Sequence, residues 1–84
     1  MAKLSTKVLA ATTAENTYLI GAGAKGMLIK NQGNYDCKID FDKAISTDAY
    51  LLENGETLAI DTFCQRLYFQ SVNGSTTLYL IKIL

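Results

Sequence analysis

The sequence contains no histidine and no proline, and only two of its 84 residues are cysteines, Cys37 and Cys64. Without an imidazole, a nucleophile such as Ser46, Ser71 or Ser75 would need a lysine or a carboxylate as its base, and no elbow motif surrounds any of these serines. The residues therefore argue against an enzyme. Two cysteines and no histidine make a poor ligand set for a metal clip, so no cofactor and no metal are expected. At most one disulfide can form. Both cysteines lie in or beside apolar strand patterns, where a thiol behaves as a small hydrophobe, and Lys7 interrupts any signal-like apolar stretch near the start. Reduced thiols in a protein made in a cytoplasm is the reading that follows. No apolar run approaches the roughly 20 residues of a membrane span. Eight basic residues balance eight acidic ones, which argues against a nucleic-acid or membrane partner held by bulk charge.

What is present is alternation. Tyr35, Cys37, Ile39 and Phe41 interleave with Asp36, Lys38, Asp40 and Asp42. Period 2 places the two sets on opposite faces of an extended strand, one dry and one wet, as in antiparallel sheets with one face on a core. Further extended stretches follow the same logic at Thr17 to Ile20, Met27 to Lys30, Tyr50 to Glu53, Thr57 to Asp61, Arg66 to Val72 and Thr76 to Leu84. Asn54-Gly55 and Asn73-Gly74 are two-residue hairpin signals between them. The expected fold is all-β: a small antiparallel sandwich or partly closed barrel of about seven short strands. Residues 1–16 form an N-terminal arm or an edge strand, with Leu4, Thr6, Val8 and Ala10 on one side, and residues 17–84 form the domain.

A chain this short removes only about 60–65% of its unfolded surface from water, so self-association is the expected supplement to stability. The last strand points the same way. Thr77, Tyr79, Ile81 and Ile83 line one face, and Leu78, Leu80 and Leu84 the other, broken by Lys82. A strand in a two-layer sandwich has one inner face, so the second apolar face needs a cover, either a subunit interface or residues 1–20 folded back. The reading places Leu78, Leu80 and Leu84 outward against a second copy. Tyr68 and Tyr50 are the aromatic candidates for a binding surface, and they also carry the alternative of a carbohydrate-binding adhesion module.

Two motifs carry weaker chemistry. Gly21, Gly23 and Gly26 match the dinucleotide fingerprint, but Met27 to Lys30 leads at once into the Asn31 to Asn34 turn and leaves no room for the helix that the pyrophosphate needs. The glycines read as a bend. Residues 31–61 hold seven carboxylates against Lys38 and Lys43, an acidic surface. Asp36, Asp40, Asp42 and Asp48 within it lack the wrapped, glycine-turned loop of a calcium site and read as a solvated face, able at most to bind a basic neighbour.

Several segments carry a resemblance: Met27 to Asn31 before a glycine turn, Tyr50-Leu51-Leu52-Glu53-Asn54-Gly55-Glu56-Thr57-Leu58, Leu67-Tyr68-Phe69, and Gly74 to Leu80. Together they resemble small β-sandwich virion proteins of tailed bacteriophages, a class of capsid accessory and tail-associated modules. The class often has proline before the glycine of the middle segment, where this chain has Asn54. The resemblance implies a virion protein made in the host cytoplasm, a capsid decoration or stabilising subunit that forms a homo-oligomer and binds the major capsid or tail protein. It carries no catalytic residue across.

Overall fold

The computed structural model describes residues 4–21, 25–61 and 64–84. Those residues form eight strands: β1 (Leu4–Ala11), β2 (Asn16–Leu19), β3 (Gly26–Asn31), β4 (Cys37–Phe41), β5 (Tyr50–Leu52), β6 (Thr57–Ile60), β7 (Arg66–Ser71) and β8 (Thr76–Ile83). They contain no helix, so none is long and apolar enough to cross a membrane. The strands build two antiparallel four-stranded sheets, ordered β1-β8-β3-β6 and β2-β7-β4-β5. Six of the seven connections cross from one sheet to the other, and only β4 and β5 are sequential partners. This interleaving of two four-stranded sheets is a jelly roll.

Burial follows the period-2 pattern. Met27 and Ile29 of β3, Cys37 and Ile39 of β4, Leu52 of β5, Leu67 and Phe69 of β7, and Leu78 and Leu80 of β8 meet between the sheets. Of the alternation read from Tyr35 to Asp42, Cys37–Phe41 forms the strand β4. Tyr35 and Asp36 belong to the preceding turn, and Asp42 ends the strand at φ 57°, a left-handed conformation that aspartate tolerates better than most residues. Both cysteines are buried and free, and burial raises each thiol pKa to about 11.

Residues 4–11 are the edge strand of the first sheet, paired with β8 from Leu4↔Ile83 to Ala11↔Thr76. Leu9 and Ala11 from this strand enter the core. Leu4, Thr6, Val8 and Ala10 share the other side, and all four are exposed.

The two Asn-Gly signals do not make hairpins. Strand β5 pairs with β4 and β6 with β3, so Asn54-Gly55 turns the chain from one sheet into the other. Asn73-Gly74 does the same between β7 and β8. The backbone explains the difference: Gly55 (φ 86°) and Gly74 (φ 61°) have positive φ, whereas Asn54 and Asn73 do not. Positive φ at the second central residue alone is a type II pattern, while hairpin turns of the I′ type need it at both.

One buried amide holds these corners together. Asn31, at the end of β3 and fully buried, donates from Nδ2 to the carbonyls of Tyr35 at 2.8 Å and Leu52 at 3.1 Å. Its Oδ1 accepts from the Gly33 amide at 3.1 Å and the Thr76 hydroxyl at 2.8 Å. Its own backbone exchanges hydrogen bonds with Glu56 and Gly55 at 3.0 and 2.8 Å. Gly33 is obligatory beside it, because a Cβ there would lie 1.6 Å from the Thr76 hydroxyl oxygen.

Asn31→Ala removes the partners of the Tyr35 and Leu52 carbonyls, the Gly33 amide and the buried Thr76 hydroxyl, and is expected to cost about 3 kcal/mol or more in urea-unfolding measurements. Leu80→Ala, a cavity mutation, is expected to cost about 2–5 kcal/mol by the same measurement.

Candidate docking face

The inward assignment of β8 is the reverse of the sequence expectation. Leu78 and Leu80 have no exposed surface and pack between the sheets, so they cannot cover a second copy from outside. Lys82, the one break in the Leu78 and Leu80 side, does not turn that side outward. It lies on the inner side at the open end of the sandwich, where its ammonium reaches the Tyr18 hydroxyl at 3.3 Å and the Ile20 carbonyl at 3.5 Å. The Tyr18 ring also lies 5.5 Å from that charge, within cation–π range. An aliphatic stem can line a core while its charged head finds polar partners at the rim.

The outward face of β8 is therefore Thr77, Tyr79, Ile81 and Ile83. Register places Leu4, Thr6 and Val8 of β1 opposite Ile83, Ile81 and Tyr79. On the other side, Leu28 and Lys30 of β3 stand opposite Ile81 and Tyr79, and Ala59 and Thr57 of β6 opposite Leu28 and Lys30. The result is a four-strand outer face that is apolar along two rows and carries one charge among these positions, Lys30. Leu4 is 67% exposed, Val8 56% and Tyr79 40%, so large apolar side chains reach solvent together. Between them sits a depression of about 270 Å³, lined by Thr6, Leu28, Lys30, Thr57, Tyr79 and Ile81 among others. Contiguous exposed apolar surface of this kind marks interaction sites. Within the described residues, the chain beyond β1 does not fold back over it, since residues 16–19 belong to the opposite sheet.

The remaining expected positions fall elsewhere. Leu84 follows β8 and is 39% exposed. Tyr68 stands on the outer face of the second sheet, opposite Thr17 and Asp40. Tyr50 pairs with the inward Ile39 at the sheet edge, so the two tyrosines point to opposite sides of one sheet and make no joint stacking platform. The Tyr50 hydroxyl donates to the Glu56 carboxylate, which also accepts the Glu53 amide at 2.9 Å. Those bonds hold the Glu56 carboxyl below its usual range, and the same hydroxyl bond raises the Tyr50 phenol.

The acidic segment is spent locally. Asp36 accepts the Asn54 amide at 2.9 Å, Asp40 the Phe41 amide at 2.8 Å, and Asp42 the amides of Gln65 and Arg66 at 2.9 and 2.7 Å. Asp48 lies 3.9 Å from Lys43 in an exposed pair. These carboxylates cap turns and strand ends, and among the described residues no group of three acidic or sulfur ligands could hold a metal ion. Of the glycine fingerprint, Gly23 lies outside the described residues. Gly26 opens β3, where a Cβ would come within 2.6 Å of the Ile60 carbonyl oxygen, so that glycine serves close strand packing.

No family model matches the sequence, and no curated protein matches it. Solved structures do. The chain superposes on the SPBc2 prophage-derived protein YomS with a TM-score of 0.69 at 20% identity, covering 100% of this chain and 96% of that one. A conserved protein of unknown function from Streptococcus pyogenes, SPY1581, matches with a TM-score of 0.65 at 12% identity over 95% of this chain. The chain spans 63% of that protein, just under two thirds of its length. A de novo designed double-stranded β-helix matches with a TM-score of 0.58 at 10% identity, covering 98% and 99% of the two chains. At these identities the likeness establishes the fold.

Replacing Tyr50 by Phe removes a donor to Glu56, and the Glu56 carboxyl, followed by NMR, is expected to titrate closer to its ordinary value. The depressed carboxyl contributes stability above its unfolded pKa that is lost as pH falls through its folded value. The raised phenol contributes stability below its unfolded pKa that is lost as pH rises through its folded value.

Proposed function

We propose that this chain is a non-enzymatic structural protein of a bacteriophage particle, a capsid decoration or stabilising subunit that self-associates and docks on the shell through the outer face of the β1-β8-β3-β6 sheet. The observation that carries this reading is the exposed apolar surface around Tyr79, Val8 and Leu4, on strands whose other face already fills the core. The end-to-end likeness in length and fold to a prophage-derived protein supports a phage setting, as does the resemblance of the strand segments to virion modules. In this role the chemistry is burial and shape, with no cofactor and no reacting group. Lys30 beside Tyr79 gives the face one cation to pair with a carboxylate of the shell protein.

Mass spectrometry of purified particles of the virus that encodes this chain tests the role by copy number. Hundreds of copies per particle are the expected result, a handful moves the protein to the tail, and absence from particles contradicts the proposal. Tyr79→Asp is expected to reduce incorporation at least tenfold while leaving the β circular-dichroism spectrum unchanged, because Tyr79 projects outward.

A further inference from the structure

The two sheets have four edges, and these are unequal. Strands β6, β2 and β5 present four, four and three residues, whereas β1 presents eight. A long exposed edge is a template for pairing, and proteins ordinarily blunt one with proline, bulges, shortness or several charges. Strand β1 has none of these. Its ladder with β8 runs through eight consecutive partners without a bulge, and Lys7 is its only charge. Among the described residues, no hydrogen bond outside that ladder engages the backbone of Leu4–Ala11. Every second amide and carbonyl along this strand consequently faces away from β8 and has no backbone partner among the described residues.

We propose that β1 pairs antiparallel with β1 of a second copy about a two-fold axis, joining two sheets into one continuous eight-stranded sheet. This deepens the self-association in the reading above by naming the partner and the register. The register is restricted by the strand's own chemistry. Residues directly opposite in a sheet point to the same face, so inward positions must meet inward ones and outward must meet outward. With Lys7 on the axis, two ammonium groups would face each other directly, which is destabilising. With Thr6 on the axis, only five residues pair. With Val8 on the axis, residues 5–11 all pair: Val8 meets its own copy, Lys7 meets Leu9 and Thr6 meets Ala10.

Self-pairing also exceeds the alternatives offered by the same chain. Joining β1 to the β6 edge of another copy would give at most four paired residues and an open-ended ribbon, whereas the two-fold contact closes on itself. The closed contact sets a β-branched Val8 pair at its centre and brings the two rows of Leu4, Val8, Tyr79 and Ile81 into one doubled apolar face. A dimer therefore presents the docking surface twice, side by side, to a repeating lattice.

Sedimentation of the purified protein tests the pairing without reference to particles. The intact chain is expected at twice its 9.2 kDa mass, and Val8→Glu, which places two carboxylates on the axis, at the single-chain mass with an unchanged β spectrum. Val8→Cys is expected to form a disulfide dimer under mild oxidation. Thr6→Cys is expected to remain unlinked, because four residues of offset along the strand separate the two thiols by about 13 Å. The native thiols are buried and do not compete. A monomeric intact chain, a Val8→Glu dimer, or faster cross-linking at Thr6 than at Val8 overturns the proposal. A monomer that is still found in particles at high copy number overturns the strand pairing while leaving the structural role standing. A dimer with the expected cross-link, in a protein absent from particles, upholds the pairing and removes the role.

Discussion

The side chain of Asn31, itself without exposed surface, uses every hydrogen-bonding position it has, two donors and two acceptors. That constraint shapes the end of the sandwich where three sheet-to-sheet crossings converge. The turn after β3 is tied through Gly33 and Tyr35, the corner after β5 through Leu52, Gly55 and Glu56, and the start of β8 through Thr76. A buried polar network of this kind is useful only when complete, since each unpaired member costs more than the bond it would have made. In an 84-residue chain with free cysteines it does the fastening that small domains often obtain from disulfides or metals.

Because the corners are fixed from within, the strands can leave apolar side chains on the outside without losing the fold. Strand β8 lies between β1 and β3, and its inner Leu78 and Leu80 fill the core while its outer Tyr79 and Ile81 stand at the middle of the docking face. Strand β1 extends that face to an unblunted edge. The second sheet is different in character, with Arg66, Tyr68 and Gln70 of β7 and Lys38 and Asp40 of β4 directed outward. The described residues therefore give the molecule one largely apolar side and one mixed polar side.

Much of this was legible in the sequence because period 2 is hard to imitate: the Tyr35 to Asp42 alternation, whose centre is β4, and the doubly apolar last strand both announce themselves. The faces of that last strand were not legible, because both are apolar by composition and Lys82, the one break in the Leu78 and Leu80 side, finds its partners Tyr18 and Ile20 only in the folded chain. Nor was the topology. Asn-Gly pairs signal a turn, but whether the turn closes a hairpin or changes sheets depends on the φ of the asparagine and on partners distant in sequence. Asn31 itself looked like an ordinary turn residue. The eventual clue was only its place at the end of an apolar run, and its six partners come from three separate segments.

A side-chain-resolution reconstruction of the phage particle proposed to carry this chain would test the proposed docking most directly. The expected density has the jelly roll with Tyr79 and Ile81 against the shell, and with Arg66, Tyr68 and Gln70 toward solvent. Density with the β2-β7-β4-β5 sheet against the shell and the apolar face open to water would contradict it.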